Sequence, residues 1–241
     1  MVTSRGASHG AYHEASPGAT PRRIALIHAL AHSPGPVQQE FLRQWPECHL
    51  MNLLDDSLSA DLAARGGLDA AMFKRFETLA DYAVTTGADA ILFTCSAFGP
   101  CIEAVARRHS NIPVLKPNEA MVAEAVRMKT RIGLVASFAP TLKSMPAEFP
   151  SGFEIDCELA EGALAALDAG DVAEHDRRVV AAAARLQARG CGAIALAQFS
   201  MARAAGDVAA VVSLPVLTTV GSAVADLRAR LVGAATSGRL G

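Results

Sequence analysis

Ala88-Asp89-Ala90-Ile91-Leu92-Phe93 is a short apolar run, which Gly87 precedes and the polar turn Thr94-Cys95-Ser96 follows. A run of this length and composition is typical of a parallel strand that is buried on both faces. Residues 101–108 then have the pattern of the first turns of a helix. We therefore expect Cys95 at the carboxyl end of a strand, the edge at which open α/β sheets bind their ligands.

The N-terminus of the helix that follows Cys95 is predicted to influence the thiol. It offers free N–H groups and a partial positive charge. We expect both to lower the pKa of Cys95 and to hold a substrate anion. The alternative is that Cys95 is a small buried side chain without a catalytic role, as most cysteines among apolar residues are.

Strands and helices alternate on both sides of this stretch. Residues 24–28 and 49–54 are predicted as strands, residues 37–45 and 68–86 as helices, and residues 55–57 as a polar loop. Alternation at these lengths predicts a parallel sheet with helices on both faces.

The pattern then starts again. Three blocks recur in the same order. The first, Arg23-Ile24-Ala25-Leu26-Ile27, corresponds to Arg131-Ile132-Gly133-Leu134-Val135, and the second, Gly87-Ala88-Asp89-Ala90-Ile91-Leu92, corresponds to Gly190-Cys191-Gly192-Ala193-Ile194-Ala195. The third, Ile112-Pro113-Val114-Leu115, corresponds to Leu214-Pro215-Val216-Leu217. The repeat predicts an α/β fold of two similar lobes, each a parallel sheet flanked by helices, related by pseudo-twofold symmetry. We expect a loose tail at residues 1–21, lobe 1 at residues 22–117, completed by about residues 218–235, and lobe 2 at residues 118–217.

The repeat also pairs two polar residues. Cys95 is eight residues after Gly87, and Gln198 is eight residues after Gly190. The second lobe thus has an amide where the first has a thiol. A glutamine side chain forms hydrogen bonds but does not exchange a proton at neutral pH.

The composition limits the class of protein. The 241 residues suffice for one large domain or two of about 100 residues. A net charge of −2 gives no sign of nucleic-acid or membrane-surface binding, and no apolar run approaches the roughly 20 residues of a membrane helix. Without an apolar leader, and with five cysteines that lack paired spacing, we expect a cytoplasmic protein with reduced thiols. His28 and His32 are four residues apart, but Ser33-Pro34-Gly35-Pro36 follows at once, so no metal site is expected.

On its motifs the chain resembles the aspartate/glutamate/hydantoin racemase superfamily over about residues 22–232. The motifs are Ile91-Leu92-Phe93-Thr94-Cys95-Ser96, Ile112-Pro113-Val114-Leu115, Arg131-Ile132-Gly133-Leu134-Val135-Ala136-Ser137 with Thr141, and Ala193-Ile194-Ala195-Leu196-Ala197-Gln198. The resemblance implies a cofactor-independent enzyme with a cysteine from each lobe at a shared cleft. One thiol removes a proton from a carbon next to a carboxylate or carbonyl, and the other returns it on the opposite face.

Carried over by resemblance, Cys95 is the first thiol, and Thr94 and Ser96 lie beside it. Gln198 departs from the family at the position of the second thiol. The resemblance also implies that Ser137 and Thr141 bind substrate oxygens, with helix capping as the alternative.

Other residues at the predicted strand ends complete the candidate site. The N–H groups after Cys95 and Gln198, with Ser96 and Ser200, are expected to stabilise a carbanion or enediolate. Phe199 either walls an apolar pocket or belongs to the core. Asn118 and Glu119 are expected to cap a helix that begins near Ala120.

We therefore predict a cofactor-independent isomerase, similar to a racemase or epimerase, that acts through Cys95 on a small carboxylate-bearing acid. His28, which ends the first strand, is predicted as the second base; a surface or capping histidine is the alternative. Two other reactions stay open, a decarboxylation as in the related arylmalonate decarboxylases and a covalent cis-trans isomerisation as in the related maleate isomerases. A non-catalytic binding protein for small acids is the alternative from another class. The resemblance further implies a homo-oligomer.

Overall fold

The computed structural model describes residues 21–237, so the predicted tail lies outside the described residues except for Pro21. Within residues 21–237, eight strands form two four-stranded parallel sheets. The strands are β1 Arg23–His28, β2 His49–Leu54, β3 Ala90–Phe93, β4 Val114–Leu115, β5 Ile132–Ala136, β6 Ile155–Leu159, β7 Ala193–Leu196 and β8 Val216–Thr218. Their orders are β2-β1-β3-β4 and β6-β5-β7-β8, which confirms the two-lobed α/β fold.

Helices connect and cover the strands. They are α1 Pro34–Gln44, α2 Ser57–Arg65, α3 Ala70–Thr85, α4 Gly99–Arg108, α5 Glu119–Arg127, α6 Ala139–Ser144, α7 Ala163–Asp168, α8 Val172–Ala188, α9 Ala205–Val211 and α10 Thr219–Ser237. Helix α2 begins within the polar loop predicted at residues 55–57. Its apolar pattern is weak, because Leu58 alone among its 9 residues is buried. None of the described helices has the length and hydropathy that crossing a membrane requires.

The two sheets share the same strand order and also the same register between their central strands. Ile24 pairs with Ala90 across β1 and β3, and Ile132 pairs with Ala193 across β5 and β7. These are corresponding positions of the sequence repeat. The central strands β1, β3, β5 and β7 are almost wholly buried, which explains why they read as continuous apolar runs.

Each sheet is covered on one face by a helix that follows the last strand of the other sheet. Helix α5 comes after β4, yet Met121 and Ala125 pack with Ile132 and Leu134 of β5. Helix α10 comes after β8, yet Val220, Ala223, Val224, Leu227 and Leu231 pack with Ile24 and Leu26 of β1. The lobes therefore exchange one helix each.

Helix α8 approaches the second sheet closely at Gly133. A Cβ atom there would lie 2.9 Å from Leu186 Cβ and 3.1 Å from Ile194 Cδ1. The equivalent residue in the first sheet is Ala25. The missing side chain of Gly133 thus allows α8 to lie against β5.

Replacement of this glycine tests the close packing. We expect Gly133→Ala to lower the free energy of unfolding by about 1–3 kcal/mol, because the added methyl group overpacks a buried contact. Urea denaturation measures the change. Gly35→Ala is the matched control, since a Cβ atom at Gly35 meets no atom within 4 Å. Equal stability of both variants would contradict this account of the β5–α8 contact.

Candidate functional site

A cavity of about 550 Å³ opens at the carboxyl ends of the strands and is lined by residues that follow strands of both sheets. In the first sheet it lies where the chain leaves β1 and β3, whose connections run to opposite sides of the sheet. Such a switch point is the usual ligand site of an open α/β sheet. Seven of the predicted site residues line the cavity: Thr94, Cys95, Ser96, Thr141, Gln198, Phe199 and Ser200.

Cys95 and Gln198 occupy equivalent positions on the two sides of this cavity. Each is the extended residue between a central strand and a 3₁₀ turn, Ser96–Phe98 in one lobe and Phe199–Ala204 in the other. Their φ angles are −129° and −133°. The repeat therefore places a thiol and an amide at matching strand ends that line one cavity.

The pKa of Cys95 differs from expectation. Burial raises the pKa of the Cys95 thiol, while the backbone N–H of Ala97 and the hydroxyl of Ser59 lower it in part through hydrogen bonds to the sulfur. The sequence prediction of a lowered pKa was therefore wrong. The favourable N–H group of the turn is present, but withdrawal of the side chain from water outweighs it.

Ser59 is a site residue that the sequence analysis missed. It lies on α2, lines the cavity and donates to the carbonyl oxygen of Ala29 over 3.1 Å. A hydroxyl carries one hydrogen, so Ser59 donates either to this carbonyl or to a Cys95 thiolate. No sequence signal marked Ser59, because the stretch that contains it was not predicted as a helix.

Gln198 is held in one orientation by Ser137. The backbone N–H of Ser137 donates to Gln198 Oε1 over 2.7 Å, and the Ser137 hydroxyl donates to the same oxygen over 3.0 Å. A backbone N–H only donates, so the atom facing Ser137 is the amide oxygen. Within the described residues no hydrogen bond engages Gln198 Nε2, which leaves its two N–H groups for a ligand.

His28 lies behind the cavity rather than on its wall. It is fully buried; Nδ1 lies 2.9 Å from Thr94 Oγ1, and Nε2 lies 3.0 Å from Asn52 Oδ1. Burial lowers the pKa of His28, opposed in part by the hydrogen bond with Asn52. His28 does end its strand as predicted, but it is not among the residues that line the large cavity, and it contacts the site through Thr94.

The remaining predicted residues divide between the cavity and its support. Ser137 is outside the cavity lining and anchors Gln198, and neither Ser137 nor Thr141 makes a side-chain capping bond to α6. Phe199 is both a core and a pocket residue, since it is buried and also lines the cavity. Asn118 precedes α5 but does not cap it; its side chain donates to Glu148 over 3.1 Å, and it lines the cavity.

The other cysteines lie elsewhere in the part of the chain that the structure describes. Cys101 and Cys191 are buried, Cys48 and Cys157 are half-buried, and none of the four lines the large cavity. Burial raises the pKa of Cys48 to about 12 and that of Cys101 to about 11. Across residues 21–237, no group of three or more His, Cys, Asp or Glu side chains is placed to hold a metal ion.

Comparisons with known proteins agree with this architecture. The family model described as Asp/Glu/Hydantoin racemase matches residues 21–227. No curated protein matches the chain.

Solved structures share the fold at low sequence identity. Allantoin racemase from Klebsiella pneumoniae is 19% identical, with a TM-score of 0.67 over 88% of each chain. Glutamate racemase from Francisella tularensis, in complex with D-glutamate, is 14% identical, with a TM-score of 0.62 over 88% of this chain and 81% of that one. A glycine-to-cysteine mutant of arylmalonate decarboxylase with an associated sulfate ion is 17% identical, with a TM-score of 0.61 over 88% and 93%.

The contact between Ser59 and Cys95 predicts a change in thiol reactivity. In Ser59→Ala the thiolate loses a donor, so the midpoint of the pH profile for iodoacetamide alkylation of Cys95 should move to higher pH. Mass spectrometry of the alkylated Cys95 peptide measures the rate. Ser57→Ala is the control, because Ser57 is on the same helix but donates to Asp55 over 2.7 Å. An unchanged midpoint in Ser59→Ala would show that the hydroxyl does not act on the sulfur.

Burial of His28 predicts a pH-dependent contribution to stability. Because its folded-state pKa lies below 6.5, the unfolded chain takes up a proton first as the pH falls, and the stability of the wild type drops below about pH 6.5. We expect His28→Gln to cost about 1–3 kcal/mol at pH 8 through lost buried hydrogen bonds, and the difference from wild type to shrink as the pH falls.

Denaturation curves at several pH values measure this difference. His49→Gln serves as the control, since His49 is exposed at the start of β2. A difference between wild type and His28→Gln that stays constant from pH 8 down to below about pH 6.5 would argue against a neutral, buried imidazole.

Proposed function

The chain belongs to the Asp/Glu/hydantoin racemase family, and from this we propose that it is a cofactor-independent isomerase that acts through Cys95. The reaction takes place at the carbon next to the carboxylate or carbonyl group of a small acid. One observation carries the proposal: Cys95 and Gln198, at matching strand ends, both line the same cavity.

Cys95 serves as the base in this proposal. Its thiolate removes the proton from the carbon next to the carboxylate, and the C–H electron pair moves toward a carboxylate oxygen to form an enediolate. The Cys95 thiol formed in this way then returns the proton to the opposite face of the carbon after the enediolate has turned over in the cavity. The Ala97 N–H and the Ser59 hydroxyl stabilise the thiolate before the proton arrives. The raised pKa makes the thiol a stronger base once it is ionised, which suits removal of a weakly acidic proton.

Gln198 serves as the donor to the developing negative charge. Ser137 fixes its amide oxygen, so Nε2 has its N–H groups available to the cavity. A donor that is already oriented stabilises an enediolate without the cost of reorganisation. The hydroxyl groups of Ser96, Thr141 and Ser200 also line the cavity and supply further donors.

His28 has a positioning role in this proposal. It fixes Thr94, the residue directly before Cys95, through the hydrogen bond to Thr94 Oγ1. Its lowered pKa keeps the imidazole neutral near physiological pH. His28 therefore acts on the site through Thr94 rather than by direct contact with the substrate.

A decarboxylase is the second candidate function, and the identity of Gln198 favours it. Isomerisation by inversion removes a proton from one face of the carbon and delivers one to the opposite face. An amide delivers no proton at neutral pH, so Cys95 alone has to serve both faces. Decarboxylation needs only one donor: the C–CO₂ bond breaks, carbon dioxide leaves with the electron pair remaining on the carbon, and the Cys95 thiol delivers its proton there. A covalent cis-trans isomerase and a non-catalytic binding protein for small acids stay open as well.

Deuterium incorporation separates these functions. In D₂O, an isomerase returns deuterium to the carbon next to the carboxylate of the recovered acid, whereas a decarboxylase labels only its product. We propose a panel of allantoin, D-glutamate, 2-phenylpropionate and phenylmalonate, followed by NMR. Cys95→Ala should lower the rate about a thousandfold.

Gln198→Glu tests the donor. The glutamate still accepts from Ser137 but presents no N–H group, so we expect a loss of about a hundredfold or more. Gln187→Glu is the control, because Gln187 Oε1 accepts from the Ser213 N–H over 2.8 Å in the same manner.

No labelling of any acid, with protection of Cys95 from alkylation, would favour the binding protein. The homo-oligomer and the cytoplasmic location stay predictions.

A further inference from the structure

The walls of the cavity around Cys95 are more apolar than a site for amino dicarboxylates requires. We infer that the acid bound there carries one anionic group and a bulky apolar substituent, such as a phenyl ring or a branched alkyl chain, next to that group. This inference rests on the proposed function, because it names the substrate class of the same site. It follows from three features: the apolar side chains, the charges and the volume.

Large apolar side chains are exposed to the cavity. Leu30 and Phe138 are 45% and 48% exposed, and both line it. Leu62 of α2 and Leu164 and Leu167 of α7 line it too. Leaving such side chains in water is unfavourable, and exposed apolar patches in folded proteins mark sites that bind apolar groups. They come from both lobes, so an apolar substituent between them would be covered on two sides.

Charged side chains are scarce in the same lining. Among the described residues that line the cavity there is no lysine or arginine. The lining includes one carboxylate, Asp168, and its oxygen faces His32 Nε2 at 3.8 Å. A second carboxylate of a ligand would therefore lose part of its hydration without gaining a lysine or arginine partner, which is costly. An ammonium group would have to compete with His32 for Asp168.

The volume is also larger than a small acid needs. Ligand cavities of about 300–1,000 Å³ hold drug-sized molecules, and this cavity of about 550 Å³ is in that range. The strand-end turns supply polar groups that bind a carboxylate, Ser96 and Gln198 among them. The remaining volume is bordered mainly by the apolar side chains of α2, α7 and the turn at Phe138.

Protection of Cys95 from iodoacetamide in the wild-type chain tests this substrate class. The probes are acetate, phenylacetate and glutarate, which differ by a phenyl ring or by a second carboxylate. We expect phenylacetate to give half-protection at a concentration at least about tenfold lower than acetate, because its ring leaves water. Glutarate should be no better than acetate. The inference is overturned if phenylacetate gains less than about threefold over acetate, if glutarate protects best, or if none of the three protects.

A charge introduced into the apolar wall provides a second readout. Leu167→Arg should strengthen protection by glutarate about tenfold and weaken protection by phenylacetate, because it supplies a cation where the wall is now apolar. Leu42→Arg is the control, since Leu42 is 68% exposed on α1 and is not part of the cavity lining. Thermal unfolding of both variants verifies that they are folded. Equal effects of both substitutions would contradict a role for this wall in selecting the ligand.

The two proposals fail in different ways. Protection by phenylacetate measures binding, whereas deuterium incorporation measures catalysis. Protection by phenylacetate without labelling of any acid would overturn the proposed function and leave the inferred ligand class standing. Labelling of D-glutamate, combined with preferential protection by glutarate, would overturn the inferred ligand class and support the enzyme.

Discussion

The parallel pairing of β1 with β3 and of β5 with β7 is the constraint on which the rest of the site depends. Ile24 pairs with Ala90 and Ile132 with Ala193, so the two central strands have the same register in both sheets. The residues that leave β3 and β7 therefore reach the cavity at equivalent positions. A shift of one residue would turn Cys95 or Gln198 away, since side chains alternate along a strand.

The two sides of the cavity are symmetric in backbone and different in chemistry. The Cys95 side holds a titratable thiol whose pKa is raised by burial. The Gln198 side holds an amide that is fixed in orientation, because its oxygen accepts a hydrogen bond from the Ser137 N–H. Symmetry of the backbone thus does not extend to proton transfer. The duplicated scaffold therefore combines one base with one hydrogen-bond donor at equivalent positions.

The sequence predicted β2, the strands of the repeated blocks and the pairing of Cys95 with Gln198, because buried parallel strands are continuous apolar runs and the repeat aligns them. It did not predict β6, Ile155–Leu159, which is half-buried along its whole length. It did not predict α2, whose apolar pattern is weak, and so it missed Ser59. Nor did it predict the pKa shift of Cys95, because desolvation depends on how other elements cover the thiol. His28 ended its strand as predicted, but its position behind Thr94 depends on which face of β1 is covered.

The exchange of α5 and α10 has a consequence for the biosynthesis of the chain. One face of β1 is covered by Val220, Val224 and Leu227, which are nearly two hundred residues later in the chain. While the ribosome is still adding α10, Ile24 and Leu26 lack the partners that finally shield them. The first lobe is therefore complete only after α10 has been synthesised, and until then one apolar face of its nascent sheet stays uncovered and prone to aggregation.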